Sequence, residues 1–285
     1  MFKIVRISGG LGNQLFQYAF GKYLEKKFNV IVKYDIQTIL NTDNFTNREP
    51  HIIDLVKDIN LIDIKKKLEI SYRFKKILIK YCKINLFKIY IENDQNKLIN
   101  QETVIKYNYF DGYWQSKIYV KTFKNEILFN DSIKKSCPEI FEHIYNCNSC
   151  SIHIRRGDYL FKNNIKIFSK CSYEYFYNAI NLMKSIDKDI KFFVFSDDIN
   201  SAKKFLNDNS FYFVNPNHSI PSIDLYLMSH CKHNIISNST FSWWAAWLNT
   251  NQNKKVIAPY NWYVNQTINK ITISKLIPNH WTIIR

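Results

Sequence analysis

Residues 3–34, KIVRISGGLGNQLFQYAFGKYLEKKFNVIVKY, decide the class of fold. Positions 3–7 are rich in β-forming residues, and the glycines that follow them mark a turn. Apolar residues then recur at helical spacing as far as Phe28, and positions 30–34 are again β-rich. Strand, turn, helix and strand in this order predict a βαβ unit, which builds parallel sheets.

The second half of the chain repeats this alternation more regularly. Short β-rich runs are separated there by segments in which apolar residues recur at helical spacing. Strands are predicted at 151–155, 192–195, 211–214, 234–236 and 256–258, and helices at 172–185, 200–206, 223–230 and 242–248. Such alternation is typical of a doubly wound α/β sheet.

Length and pattern together predict two domains. A chain of 285 residues is at the upper size of a single core, about 250–300 residues. We therefore expect one α/β domain over 1–145 and a second over 146–285, facing each other across a cleft. Between residues 40 and 150 the pattern predicts only a basic helical region, strands or turns near 107–114, and a helix over 138–145.

Positive charge is concentrated in one segment. The chain has 40 Lys+Arg against 24 Asp+Glu, a net charge of +16, and residues 65–88 contain nine of the basic residues with Glu69 as their single acid. This segment fits either an anionic membrane surface or a solvated helix face. No nucleic-acid recognition motif accompanies the charge, so the sequence argues against a nucleic-acid partner.

Other features indicate a cytoplasmic protein. The first residues contain no apolar run of a signal peptide, and no stretch is apolar enough for a membrane span. Only one pair of the six cysteines has CxxC spacing, which predicts free thiols in a reducing compartment rather than a zinc site. These cysteines are Cys82, Cys137, Cys147, Cys150, Cys171 and Cys231.

The sequence SIHIRRGDY at 151–159 ends a predicted strand in a cationic cluster. Strand periodicity puts His153 and Arg155 on one face. Arginines at the carboxyl end of a parallel strand need an anion, and the guanidinium fork suits the oxygens of a pyrophosphate. Alternatively, Arg155 or Arg156 pairs with Asp158 or another carboxylate and stabilises the turn.

Two further polar clusters follow predicted strands. Ser196, Asp197 and Asp198 end one strand, and these carboxylates can accept hydrogen bonds from ribose or guanine, or cap the next helix. The second cluster opens a helix, where hydroxyls and free N–H groups form an anion site. Its members are Asn238, Ser239, Thr240 and Ser242.

A metal site is not expected. A DxD sequence that holds a divalent ion on a diphosphate should follow a strand. The candidate here, Asp187 and Asp189, precedes its predicted strand. The sequence therefore predicts chemistry without a metal or other cofactor.

Four separated motifs resemble those of glycosyltransferase family 11, the α-1,2-fucosyltransferases. They are GGLGNQLFQYAFGKYL at 9–24, HIRRGDY at 153–159, FSDD at 195–198 and SNSTFSWWAAWL at 237–248. Residues 47–49 and 110–115 are weaker echoes. The resemblance implies a GT-B-like pair of Rossmann-like domains and inverting, metal-independent transfer of fucose. The donor would be GDP-β-L-fucose, the acceptor the 2-hydroxyl of a terminal β-galactoside in a bacterial surface glycan such as O-antigen.

The resemblance also implies roles for single residues. Arg155 would neutralise the β-phosphate of the leaving GDP, with His153 and Arg156 beside it. The base is inferred from position instead: Asp158 and Asp35 each follow a predicted strand, and Asp158 is the expected one. The C-terminal domain would bind GDP-fucose and the N-terminal domain the acceptor. Ser196, Asp197, Asp198, Asn238, Ser239, Thr240 and Ser242 would bind the donor, which Asn13 would face from the other domain.

Tryptophans are the expected platforms for sugar rings. Trp114 and Trp262 are the candidates, whereas the helical spacing of Trp243, Trp244 and Trp247 predicts core packing. Two alternative functions are left open. One is a fucosyltransferase of other linkage, such as α-1,6, and the other is a non-catalytic protein that binds a GDP-sugar or glycan.

Overall fold

The computed structural model describes residues 2–37, 39, 49–62, 88–92, 98–121, 123, 127, 129–155, 166–206, 210–214 and 220–285. The chain divides into two units, Met1–Leu128 and Phe129–Arg285. The boundary thus precedes the one expected after residue 145. The reason is that Phe141, on the helix Pro138–Asn146, stacks on Tyr226 of the second unit at 5.3 Å between ring centroids.

Unit 1 contains a four-stranded parallel sheet. In chain order its strands are β1 (Phe2–Arg6), β2 (Ile31–Asp35), β3 (Ile89–Ile91) and β4 (Tyr109–Asp111), and their spatial order is β2-β1-β4-β3. Its described helices are α1 (Leu11–Phe28), α2 (Gln101–Lys106), α3 (Lys117–Val120) and a 3₁₀ turn at His51–Asp54. The βαβ unit predicted for residues 3–34 is confirmed.

Helix α1 packs closely on this sheet. It begins after Gly9, whose φ of 74° favours glycine, and most of its side chains are buried because α3 and the 3₁₀ turn cover its other faces. A Cβ added at Gly21 would overlap the Tyr34 hydroxyl. That hydroxyl donates a 3.1 Å hydrogen bond to the carbonyl of Tyr18. Gly21 is therefore the residue that lets helix and sheet approach.

Unit 2 contains a six-stranded parallel sheet. Its strands are β5 (Ser149–Ile154), β6 (Lys191–Ser196), β7 (Tyr212–Phe213), β8 (His233–Ile235), β9 (Val256–Pro259) and β10 (Thr282–Ile284), in the spatial order β10-β9-β8-β5-β6-β7. Its described helices are α4 (Asp131–Lys135), α5 (Pro138–Asn146), α6 (Tyr173–Ile186), α7 (Ile199–Leu206), α8 (Pro221–His230), α9 (Thr240–Leu248) and α10 (Gln266–Leu276).

Strand β5 shows why helices cover both faces of this sheet. All six of its residues are buried, as expected for a central strand of a parallel sheet. Ile152 and Ile154 join one core cluster with Phe176 and Met183 of α6. His153 points to the other face, where its ring lies 5.6 Å from that of Phe241 in α9. The sheet is therefore doubly wound.

The predicted elements of the second half are confirmed within a few residues. Helix α10 and strand β10 were not predicted, because the polar residues within α10 hide its apolar spacing. The basic segment at 65–88 falls outside the described residues except for Lys88, and its predicted helix stays a prediction. Among the described helices, none combines the length and apolar character needed to span a bilayer.

Candidate functional site

The candidate donor site lies at the carboxyl ends of β5 and β8. From β5 the chain continues to β6 and β7 on one side, whereas β8 starts the other side of the sheet. Ligands of doubly wound sheets bind at this kind of reversal point. Arg155 directly follows β5, and its Nη1 donates a 3.1 Å hydrogen bond to Oγ of Ser239, which follows β8. The two motifs thus meet in one crevice.

His153 is a buried, neutral member of this crevice. Its Nδ1 lies 2.8 Å from Oγ of Ser237. Burial, and secondarily the positive charge of Arg155, lower the pKa of His153 to about 3. The ring therefore carries no charge near neutral pH, and the guanidinium of Arg155 is the cation that β5 presents here.

The cluster after β8 divides into groups with different contacts. Ser239 caps α9, since its Oγ accepts from the backbone N–H of Phe241 at 3.3 Å. Asn238 is buried and donates to the carbonyls of Ser169 and Trp262 at 2.5 and 3.3 Å. The buried hydroxyl of Ser242 donates to backbone carbonyls of its own turn. Arg155 and Thr240 are thus the partly exposed residues here, and the buried Ser239 positions the Arg155 guanidinium.

The cluster after β6 is a helix cap with one exposed carboxylate. Asp198 Oδ1 accepts from Ser201 N at 3.0 Å, and Oδ2 accepts from Ser201 Oγ at 2.6 Å. These bonds lower the pKa of Asp198. Ser196 Oγ donates to the Asp198 carbonyl at 3.0 Å. Asp198 therefore caps the next helix, which was one of the two roles predicted for this pair. Asp197 is the exposed carboxylate of the pair.

The start of α8 contains two polar residues that were not predicted from the sequence as site residues. Oγ of Ser222 and Oδ1 of Asp224 are buried and have no hydrogen-bond partner among the described residues. Burial raises the pKa of Asp224 to about 7. Because α8 runs antiparallel to the strands, its first turn lies at the same sheet edge as Arg155. A serine and an aspartate in the first turn of a helix that follows a strand are a pattern from which Ser222 and Asp224 could have been predicted.

Unit 1 has its own polar groups at the carboxyl ends of its strands. Asn13, in the first turn of α1, accepts a 2.9 Å hydrogen bond on Oδ1 from Nε2 of Gln115. Asp35, the alternative base, accepts from Tyr109 OH at 2.7 Å and from Gln37 N at 2.9 Å. Each of its oxygens thus accepts one hydrogen bond, and the role of Asp35 as the alternative base stays a prediction.

Two of the predicted site residues, Arg156 and Asp158, lie outside the described residues. Their predicted roles stay predictions. Asp187 and Asp189 precede β6, as expected. One Asp187 oxygen accepts from the Asn148 amide at 2.5 Å, and the other accepts from Asp189 N at 2.8 Å. This aspartate therefore joins a turn at the edge of the sheet opposite the crevice.

The two tryptophans expected to be sugar platforms are buried, so that prediction is wrong. Trp114 is 2% exposed and stacks on Phe20 with 3.9 Å between ring centroids. Trp262 is 4% exposed, and its Nε1 donates to the carbonyl of Pro259 at 3.0 Å. Trp243 and Trp244 are fully buried, which confirms their predicted packing in the core. Neither candidate ring is available for stacking with a ligand.

Comparison with known proteins identifies the family. The model of glycosyl transferase family 11 matches residues 3–285. The chain belongs to glycosyl transferase family 11. It is 33% identical over 278 residues to an α-1,2-colitosyltransferase of Escherichia coli, with 93% of this chain and 94% of that protein covered. It is 32% identical over 301 residues to the O-antigen biosynthesis glycosyltransferase WbnK of Escherichia coli, with 95% and 98% covered.

Solved structures resemble this fold at low sequence identity. The α-1,6-fucosyltransferase NodZ from Bradyrhizobium, in a crystal soaked with GDP-fucose, superposes with a TM-score of 0.52 and 15% identity over 86% of this chain and 91% of that one. A family 9 glycosyl transferase from Veillonella parvula has a TM-score of 0.52 and 11% identity over 99% and 86%. The family 11 glycosyltransferase described here thus has the expected GT-B-like fold of two Rossmann-like units.

Proposed function

We propose that this family 11 glycosyltransferase transfers fucose from GDP-β-L-fucose to the 2-hydroxyl of a terminal β-galactoside, with inversion and without a metal ion. The observation that carries this proposal is the 3.1 Å contact of Arg155 with Ser239 at the reversal point of the sheet. It joins a guanidinium to the start of α9. Both features attract the oxygens of a diphosphate.

The nucleoside would bind through acceptor groups around this crevice. Asp197 is exposed, and the Asp224 carboxyl has a buried oxygen without a protein partner in the described structure. Carboxylates accept hydrogen bonds from ribose hydroxyls or from the N–H donors of guanine. Ser222, whose buried hydroxyl also lacks a partner among the described residues, adds a further group. A buried polar group gains most from a ligand that supplies its missing bond.

The reaction step that follows is a single displacement. The acceptor oxygen attacks C1 of fucose from the face opposite the phosphate, while the bond from C1 to the β-phosphate oxygen breaks and GDP keeps the electron pair. Charge develops on that oxygen, where Arg155 would stabilise it in the transition state. Asp158 is the proposed acceptor of the proton that the attacking hydroxyl loses.

The relatives support a role in surface glycans and raise a second donor. WbnK is named as an O-antigen biosynthesis enzyme, and we propose the same process here. One relative is named as an α-1,2-colitosyltransferase. Colitose, which is fucose without its 3-hydroxyl, is therefore the second candidate for the transferred sugar. The proposed location is the cytoplasm, with peripheral attachment of the basic segment 65–88 to an anionic membrane.

One experiment tests donor, acceptor and metal dependence together. Purified protein is incubated in EDTA with GDP-fucose or GDP-colitose and a panel of β-galactosides. Release of GDP is measured, and the product linkage is assigned by NMR. We expect an α-1,2-fucosylated galactoside. A colitosyl product would select the second donor, an α-1,6 linkage would overturn the regiochemistry, and activity only after Mg²⁺ is restored would overturn metal independence. Affinity for GDP without turnover on any pair would favour a non-catalytic binding protein.

A further inference from the structure

Unit 1 has a reversal point of its own, between β1 and β4. Strand β1 lies between β2 and β4, so the carboxyl ends of β1 and β4 flank a crevice of the kind in which ligands of parallel sheets bind. The turn that contains Gly9 follows β1. The turn Gly112 to Gln115 follows β4. The second of these turns contains the buried Trp114.

The turn after β4 exposes one aromatic ring and buries its neighbour. Tyr113 is 51% exposed, whereas Trp114, whose φ is 54°, is 2% exposed. Oε2 of Glu92 accepts from the backbone N–H groups of both residues, at 2.7 and 3.0 Å. The left-handed backbone at Trp114 is costly for a bulky residue. These contacts hold the Tyr113 ring in solvent at the end of a strand, although an aromatic ring gains free energy when it is buried.

The same turn is bound rigidly to the glycine turn. The buried Gln17 of α1 accepts from Ser8 N at 2.8 Å and donates to the Gly112 carbonyl at 2.9 Å. A Cβ atom added to Gly9 would lie 3.6 Å from Cε1 of Tyr113. The ring edge therefore lies beside Gly9, and substitution of Gly9 would narrow the crevice.

The polar side chains next to the ring are the Glu92 carboxylate, which accepts from the two backbone N–H groups of the turn, and two uncharged amides. Gln115 donates to Asn13 Oδ1 at 2.9 Å, and the Asn13 Nδ2 is within 2.9 Å of the position of a Cβ on Gly9. Arg6, the cation at the end of β1, is neutralised by Asp111 at 2.9 Å. An exposed ring with amides and a neutralised arginine suits a neutral polyhydroxy compound better than a phosphate.

We propose that Tyr113 is the stacking platform for the terminal galactose of the acceptor, with the Gln115 amide beside it to bond a hydroxyl. This assignment rests on the proposed function, because it names where the acceptor of that reaction binds. The apolar face of galactose, formed by its C–H groups, can cover the exposed face of the tyrosine ring. The ring rather than its hydroxyl supplies most of this contact.

The test compares Tyr113→Ala with Tyr113→Phe and with Tyr177→Ala, a control in unit 2 whose side chain is 54% exposed. We expect Tyr113→Ala to raise the acceptor KM by about tenfold, which corresponds to roughly 1.4 kcal/mol. The KM for GDP-fucose and the circular dichroism spectrum should not change. Tyr113→Phe should stay within about twofold of the native acceptor KM, because it keeps the ring. An unchanged acceptor KM in Tyr113→Ala would overturn the assignment.

A second measurement works without turnover. Saturation-transfer NMR with methyl β-galactoside reports contact between sugar protons and the protein, whether or not fucose is transferred. We expect signal from the native protein and from Tyr113→Phe, and its loss in Tyr113→Ala. No signal from the native protein, or equal signal from all variants, would contradict the platform. If the NMR result is as expected but no transfer occurs, the proposed function fails and the sugar-binding site stands.

Discussion

At the scale of the residue, Arg155 decides whether the crevice after β5 can bind and activate a diphosphate. Its neighbour His153 is neutral because burial lowers its pKa to about 3, so it cannot replace the arginine charge. Ser239 fixes the guanidinium at 3.1 Å from its hydroxyl. One positive charge with a defined direction is what stabilisation of a leaving group requires.

Replacement of Arg155 by alanine should therefore lower kcat by about 100- to 1000-fold, measured as GDP release with saturating acceptor. Arg155→Lys should recover part of the loss, since it keeps the charge but not the planar fork. Arg285→Ala, at the end of unit 2, is the matched control and should leave kcat unchanged. A kcat for Arg155→Ala within threefold of the native value would show that another group stabilises the leaving phosphate.

Asp224 is expected to lower the stability of the folded protein while it strengthens the binding of GDP. Its pKa is about 7 in the folded protein and 3.8 in the reference state, so the folded protein binds more protons between these values. The free energy of unfolding therefore falls as pH rises from about 4 to 7 and levels off above that range. Asp224→Asn removes the carboxyl group whose ionisation lowers the free energy of unfolding. Its Tm should exceed that of the native protein by a margin that grows from pH 4 to pH 7.

Asp224→Asn should bind GDP more weakly, measured by calorimetry at pH 8. The reason is that the amide has one acceptor oxygen, whereas the ionised carboxylate has two. Asp131→Asn changes an exposed carboxylate in the same unit and serves as the control. A Tm difference that is constant with pH would contradict the raised pKa. Unchanged GDP affinity would remove Asp224 from the donor site.

At the scale of the element, the fit of α1 on its sheet depends on one glycine. The Tyr34 hydroxyl occupies the space that a Cβ at Gly21 would need. Overpacking of this kind costs about 1–3 kcal/mol. Gly21→Ala should therefore lower the free energy of unfolding by that amount in urea denaturation.

The double variant Gly21→Ala, Tyr34→Phe provides the check on this contact. It removes the nearest atom, the hydroxyl oxygen, but keeps the ring carbons Cε1 and Cζ at 2.7 Å from the Cβ position, so only a small part of the lost free energy should return. Tyr34→Phe alone should destabilise, since the carbonyl of Tyr18 loses its hydroxyl donor. If the losses of the two single variants simply add, the contact between Gly21 and Tyr34 is not the cause.

Most elements were predictable because each has a local signal. The strands of unit 2 are short β-rich runs, and α9 begins with a serine cap. The two buried glutamines of α1 were not interpretable from sequence. Gln14 and Gln17 lie within an otherwise apolar helix, and their hydrogen bonds reach Glu49 and Gly112. Those partners are distant in the chain, so spacing could not indicate them.

At the scale of the whole molecule, charge should govern association with membranes. The net charge is +16, and the segment 65–88 contributes half of it. Polybasic segments near an anionic surface gain about 1 kcal/mol per basic residue, and salt screens this attraction. The protein should float with vesicles that contain phosphatidylglycerol at low salt and be released in about 0.5 M salt.

Two variants that lose the same number of charges distinguish the effect of the segment 65–88 on vesicle binding from the effect of net charge. Glutamine replaces Lys65, Lys66, Lys67, Lys75 and Lys76 in the first variant. In the second it replaces Lys184, Lys188, Lys203, Lys204 and Lys270, which are exposed in unit 2. Only the first variant should lose vesicle binding. Equal binding by both would mean that net charge, and not the segment, attracts the protein to the surface.

The sequence by itself determined the α/β class, the family and the motifs of the donor site. These depend on local spacing and on residue types that stand together in the chain. Tertiary structure decided which polar side chains can meet a ligand. It assigned Asp198 to a cap and Asn238 to the support of a loop, and it left one buried oxygen of Asp224 without a hydrogen-bond partner among the described residues. It also buried Trp114 and exposed Tyr113. Exposure and hydrogen-bond partners depend on which strands become neighbours, and local sequence spacing does not encode that.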